Sequence, residues 1–190
     1  MKKILLTILV SATLLSCKEA ADSSKSADQN PLSGTFTERD EKAKKMYTNL
    51  TLFAKQDFSF AKDYLSPDFK FRTAADTSVI ATGIDETVAY WKQVHVLFKD
   101  ISFSEGRVHT FSLNNGEVYT AYFGQLTATG KFTNTTGTVP MQIWAKWEGD
   151  KIVSQIDMID SKKVALEVEA ATAAAAATAT ATATAPATTK

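Results

Sequence analysis

The chain of 190 residues has one cysteine, two histidines, four prolines and eight glycines, and its 21 basic residues are matched by 21 acidic ones. Each scarcity excludes something. A lone cysteine, Cys17, cannot close an intramolecular disulfide, so the fold must rest on its own apolar core. His95 and His109 stand in no H-x-E or H-x3-H spacing, so no metal site is expected. Balanced charge without a Lys/Arg stripe argues against a nucleic-acid partner. The absence of a G-x-S-x-G, P-loop or glycine-rich dinucleotide motif leaves no cofactor to expect. The uncharged run from Ile4 to Cys17 is shorter than the roughly 20 residues that a membrane-spanning helix needs.

That run reads as an export signal. Lys2 and Lys3 form a positive start, Ile4 to Val10 an apolar middle, and Leu14-Leu15-Ser16-Cys17 the end. The ending resembles the lipobox of bacterial lipoproteins, in which cleavage precedes the cysteine and its thiol receives diacylglycerol. The alternative is a plain signal peptide with a chance cysteine. The resemblance implies a signal peptide over residues 1–16 and lipidation at Cys17, with more than one acyl chain and therefore firm attachment to membrane lipid. Loss of Lys2 and Lys3 leaves the mature chain slightly acidic. Lys18 follows the cysteine where an inner-membrane retention signal would place Asp, so the expected address is the cell envelope, at the outer membrane. Lys18-Glu19 with Asp22 matches an acidic surface-display stretch only in part, which leaves the periplasmic and surface faces open.

Residues 17–36 are rich in Ser, Ala, Asp and Lys, too polar to pack, and read as a tether. Residues 166–190 form an Ala/Thr-rich tail, expected to be disordered or weakly helical. The domain is expected over residues 37–165. Thr37 to Lys55 carries a helical apolar face of Ala43, Met46, Tyr47, Leu50, Phe53 and Ala54. A short helix follows from Phe58, then a strand at Phe69–Thr73 and its partner at Val79–Ala81. A third helix from Asp85 to Phe98 buries Val88, Trp91, Val94 or His95, and Phe98. Strands are then expected at Ile101–Leu113, Val118–Thr129, Val139–Glu148 and Lys151–Asp160, with Asn114-Asn115-Gly116 as a hairpin turn. Three helices ahead of a long meander give an α+β fold, a curved antiparallel or mixed sheet packed on three N-terminal helices.

This order is similar to the nuclear transport factor 2-like superfamily, and most to its SnoaL-like branch. The aromatic first helix, Tyr64 to Phe69, Gly83-Ile84-Asp85-Glu86 and the ending Gly149 to Asp157 carry the resemblance. It implies a cone-shaped sheet around a mostly apolar pocket, and an outer sheet face that often pairs two copies into a homodimer. Trp144 and Trp147 face opposite sides of their strand, so one of them belongs to that outer face.

Many SnoaL-like chains end Glu-His-Trp-Asp after Lys-Ile-Val. Here Ser154, Gln155, Ile156 and Asp157 take those positions, keeping the acid and losing the imidazole. By strict alternation Val153, Gln155, Asp157 and Ile159 share a face. An Asp among apolar neighbours suits a raised pKa and an acid/base role; its plain alternative is a hydrogen-bonded strand-end residue. Ketosteroid-isomerase-like relatives place a base Asp at the end of the first strand, opposite a helix Tyr. Tyr47 suits the latter position, but Thr73 occupies the former and cannot act as a base. His109 alternates with Phe111 and Leu113, which makes it a second candidate for the cavity wall. The candidate ligand-binding set is Tyr47, Trp91, His95, Gln155 and Asp157, with Asp157 the candidate catalytic residue. Three functions follow in order: a membrane-anchored domain binding a small apolar or amphipathic ligand, a SnoaL-like enzyme of proton transfer, cyclisation or hydrolysis, and a dimerising assembly module.

Overall fold

The computed structural model describes residues 30–74 and 76–183. Cys17, the lipobox, most of the tether and the end of the tail lie outside the described residues. The elements run β1 (Gly34–Glu38), α1 (Glu41–Ala54), α2 (Phe60–Tyr64), β2 (Leu65–Thr73), β3 (Asp76–Thr82), α3 (Gly83–Leu97), β4 (Phe98–Phe103), β5 (Arg107–Leu113), β6 (Val118–Gly130), β7 (Thr136–Glu148), β8 (Lys151–Ile159) and α4 (Lys162–Ala183). The strands form one eight-stranded sheet in the order β1-β5-β6-β7-β8-β2-β3, with β4 also paired to β6. Only β2 against β8 is parallel. The sheet is mixed and stays open, with β1 and β3 at its edges.

Local chemistry sets where the helices begin. The Asp40 carboxylate accepts from the Ala43 N–H at 2.7 Å, capping α1, and from the Thr110 hydroxyl at 2.8 Å, which ties that cap to β5. At the head of α3, Gly83 takes φ 78, a left-handed conformation that glycine adopts without a Cβ penalty. The Glu86 carboxylate accepts there from the Thr82 N–H at 2.8 Å. The inner sheet face packs on α1–α3 through a core of Met46, Phe69, Phe71, Trp91, Ile143 and Trp147, all 5 % exposed or less. Trp147 points into this core and donates to Thr120 Oγ1 at 2.6 Å. Trp144 points outward and stacks on Phe111, ring centroids 5.4 Å apart.

Four expectations need correction. Gly34 to Phe36 belong not to a tether but to β1, which pairs with β5 and leaves Phe36 against His109 and Phe111. The strand expected from Ile101 to Leu113 is two strands that share one edge of β6. The break falls at Ser104–Gly106, where a Cβ on Gly106 would lie 2.4 Å from the Phe123 carbonyl oxygen. On β8, Trp147 pairs with Ile152 while Lys146 pairs with Ser154, so Val153 is an extra residue in the ladder. This bulge puts Ile152, rather than Val153, on the inner face ahead of Gln155, Asp157 and Ile159.

The fourth correction is α4. The domain boundary expected after residue 165 cuts through this helix, which runs on to Ala183. Alanine is the strongest helix former, and the threonines fit because Thr172 and Thr178 bond back to the carbonyls of Val168 and Ala174 at 2.8 and 3.0 Å. Asp160 starts the helix by accepting from the Lys162 N–H at 3.0 Å.

Candidate functional site

Between the inner sheet face and the helices lies a cavity of about 490 Å³, well within the range of small-molecule sites. The inward stripe of α1 supplies one wall as Met46, Asn49, Leu50 and Phe53, spaced at helical intervals. The helix α3 adds Tyr90, Trp91 and Val94, and the strands add Phe71, Met141 and Ile143. Lys163, Val164 and Glu167 of α4 complete the rim. A shallower groove of about 250 Å³ between α2 and α3 is rimmed by Lys62, Asp85 and Lys92.

The polar centre of the cavity is on β8. Asp157 is half-buried at the cavity wall, paired across the ladder with Ile143 on one side and Thr73 on the other. Burial therefore pushes its carboxyl up to about 7, opposed by the Gln155 amide, which donates to Oδ1 at 2.8 Å. Burial also raises the Tyr90 phenol, and the nearby Asp157 charge adds to that rise. Near neutrality the carboxyl is thus divided between a proton-donating acid and an accepting carboxylate, in apolar surroundings.

A second carboxyl lies at the rim. Glu167 is 1 % exposed. Its oxygens accept from the backbone N–H groups of Phe132 at 2.5 Å and Thr133 at 3.1 Å, in the turn between β6 and β7. Burial pushes this carboxyl up, but the backbone donors together hold it below the ordinary glutamate value. Two glycines make room for α4: a Cβ on Gly130 would lie 2.1 Å from Glu167 Oε2, and one on Gly137 would lie 1.9 Å from Lys163 Nζ.

The sequence-derived candidates separate into two groups. Trp91, Gln155 and Asp157 line the cavity together. Tyr47 and His95 stand off it. Tyr47 lies one residue past Met46, on a different side of α1, where it is 37 % exposed and its hydroxyl donates to the Gly106 carbonyl. His95 lies behind the wall against Phe53 and Phe58, at ring distances of 4.9 and 5.8 Å. Burial lowers its pKa, a bond to the Phe53 carbonyl opposes this, and Nε2 has no partner. His109 is on the outer face, since Val108 and Thr110 are the buried neighbours, and its Nδ1 is 3.5 Å from the Glu38 carboxylate. Among the described residues, no group of three His, Cys, Asp or Glu side chains is placed to hold a metal ion. No described helix is long and apolar enough to cross a membrane.

Sequence reasoning missed Asn49. It is 8 % exposed, lines the cavity, and its Oδ1 has no hydrogen-bond partner. The signal was its spacing: three residues after Met46 and four before Phe53, a polar side chain on a buried stripe.

No protein-family profile matches the chain, and no curated protein does. Solved structures do match. A candidate SnoaL-like polyketide cyclase from Shewanella denitrificans superposes with a TM-score of 0.54 at 16% identity, covering 69% of this chain and 98% of its own. A candidate polyketide cyclase from Xanthomonas campestris gives 0.52 at 10% identity, over 66% and 94% of the two chains. A nuclear transport factor 2-like protein of unknown function from Burkholderia pseudomallei gives 0.50 at 16% identity, over 64% and 92%. These likenesses speak to architecture alone: the chain has the nuclear transport factor 2-like, SnoaL-like fold.

Proposed function

We propose that this domain binds a small apolar or amphipathic molecule in its cavity, at a membrane face to which a lipid on Cys17 holds it. One observation carries the binding reading: a cavity of about 490 Å³ with mostly apolar walls and a few polar groups, the Gln155–Asp157 pair among them. Titration of the purified chain with 1-anilinonaphthalene-8-sulfonate tests it. Saturable binding of one probe per folded chain is expected, and Ala128→Phe, which adds a ring at a lining position on β6, should abolish it. Binding that survives Ala128→Phe would place the probe elsewhere and remove the basis of the reading. The anchor is tested separately, by labelled palmitate entering the wild-type chain in a bacterial host but not Cys17→Ser.

The Asp157 carboxyl, near 7 in an apolar site, supports a second reading as a SnoaL-like enzyme with Asp157 as acid/base. On the outer sheet face, Phe36 is 66 % exposed beside Phe111, which stacks on Trp144, and this supports a third reading as an assembly surface for a second copy. Sedimentation as a monomer at all concentrations would dispose of the third.

A further inference from the structure

Asn49 stands where a helix facing a core should carry an apolar side chain. Met46, Leu50 and Phe53, its neighbours on the inward stripe of α1, are all hydrophobic. Its side chain is more than nine-tenths buried, and Oδ1 meets no donor. An orphaned buried acceptor is a standing penalty in the empty protein, and buried polar atoms are otherwise almost always paired. The same side chain lines the cavity, so a turn of its terminal amide brings the sealed Oδ1 round to meet a partner there.

The rest of the wall limits what that partner is. The deeper polar side chains are neutral amides and hydroxyls, together with the Asp157 carboxyl. The only basic residue lining the cavity is Lys163, and it stands at the rim on α4. An anionic group pressed against α1 would find no cation there, and a cation no carboxylate on that helix stripe. A neutral group fits. A hydroxyl serves either orientation of the amide, because it both donates and accepts.

We propose that Asn49 is a ligand-contacting residue and that the molecule held in this cavity is an apolar alcohol, its hydroxyl bonded to Asn49 on α1 and its hydrocarbon body filling the space toward Asp157. The assignment rests on the reading of the cavity as a binding site and specifies the ligand's chemistry. Two probes of matched shape test it, 2-naphthol and naphthalene, titrated into the full-length chain and into Asn49→Leu. The wild type should bind 2-naphthol about ten-fold more tightly than naphthalene, the net worth of one hydrogen bond. Asn49→Leu should erase that preference by losing 2-naphthol affinity while keeping or gaining affinity for naphthalene. Its melting temperature should hold or rise, since an unpaired buried amide is being replaced by hydrocarbon of similar size. Equal affinity of the wild type for both probes would overturn the alcohol assignment and leave the binding cavity intact. A preference that survives in Asn49→Leu, with a lowered melting temperature, would make Asn49 a structural residue and overturn it too. Failure of the folded wild type to bind either probe would remove the cavity reading itself, and this assignment with it.

Discussion

Asp157 and Glu167 carry carboxyls to the wall of one cavity, and the fold treats them in opposite ways. Glu167 receives two backbone N–H groups, from Phe132 and Thr133, and stays ionised against its burial. Asp157 receives the Gln155 amide, and burial prevails, at about 7. Burial decides at Asp157, while the aligned backbone donors decide at Glu167. Glu167 is held as a fastening; Asp157 is held ready to change state.

The sharpest way to break the contrast is through pH. A carboxyl raised from an ordinary 3.8 to about 7 weakens the fold as pH climbs between those values, because the unfolded chain ionises first. The loss is at most on the order of 4 kcal/mol, less where water in the cavity screens the charge. Asp157→Asn should flatten this slope and make the protein more stable than the wild type at pH 8, measured by denaturant unfolding at pH 5 and 8. An unchanged slope would mean that Asp157 is ionised throughout. Glu167 has the opposite sign: its contribution is complete above the ordinary glutamate value and fades as pH falls through its lowered one.

Next in size is Glu167→Ala, which orphans two N–H donors at a cost of about 2–3 kcal/mol. The loss should be local, so hydrogen exchange in α4 and at Phe132 and Thr133 should quicken by roughly 30- to 100-fold while the core strands change little. Uniform quickening would show that α4 is part of the global folding unit instead. The smallest effect is expected from added methyls. Gly130→Ala drives a Cβ into the Glu167 carboxylate and should give a weaker copy of the same pattern, about 1–2 kcal/mol. Gly137→Ala meets only the mobile end of Lys163 and should cost less.

How much of this the sequence revealed depended on whether the signal was local. Helices α1 and α3 and the hairpins of β6 to β8 follow from periodicity and turn residues that lie within one segment, and the SnoaL-like ending brought Gln155 and Asp157 forward together. Strand β1 was hidden because five exposed residues gain strand character only from β5 across the sheet. The helix α4 was hidden because Ala/Thr composition looks featureless until Glu167 is seen reaching the turn after β6. Asn49 looked like one more polar helix residue, and Tyr47 and His95 looked like wall residues. In each case, a fraction of a helical turn decides which side of the wall the side chain takes.

The bulge at Val153 reaches further than its size suggests. Along β8 the chain is in effect read in two frames, and the extra residue switches between them. Were the ladder regular from the Trp147–Ile152 pair onward, Ser154, Ile156 and Met158 would look inward, and Asp157 would lie on the outer face. The cavity would then lose the Gln155–Asp157 pair, and Glu167 would remain as an acid held in its ionised form. Deletion of Val153 should iron the strand flat yet keep Asp157 inside, whereas a further insertion beside it should turn the acid out. A change in length of one residue, with no change of chemistry at the site itself, is enough to take the raised carboxyl out of the cavity.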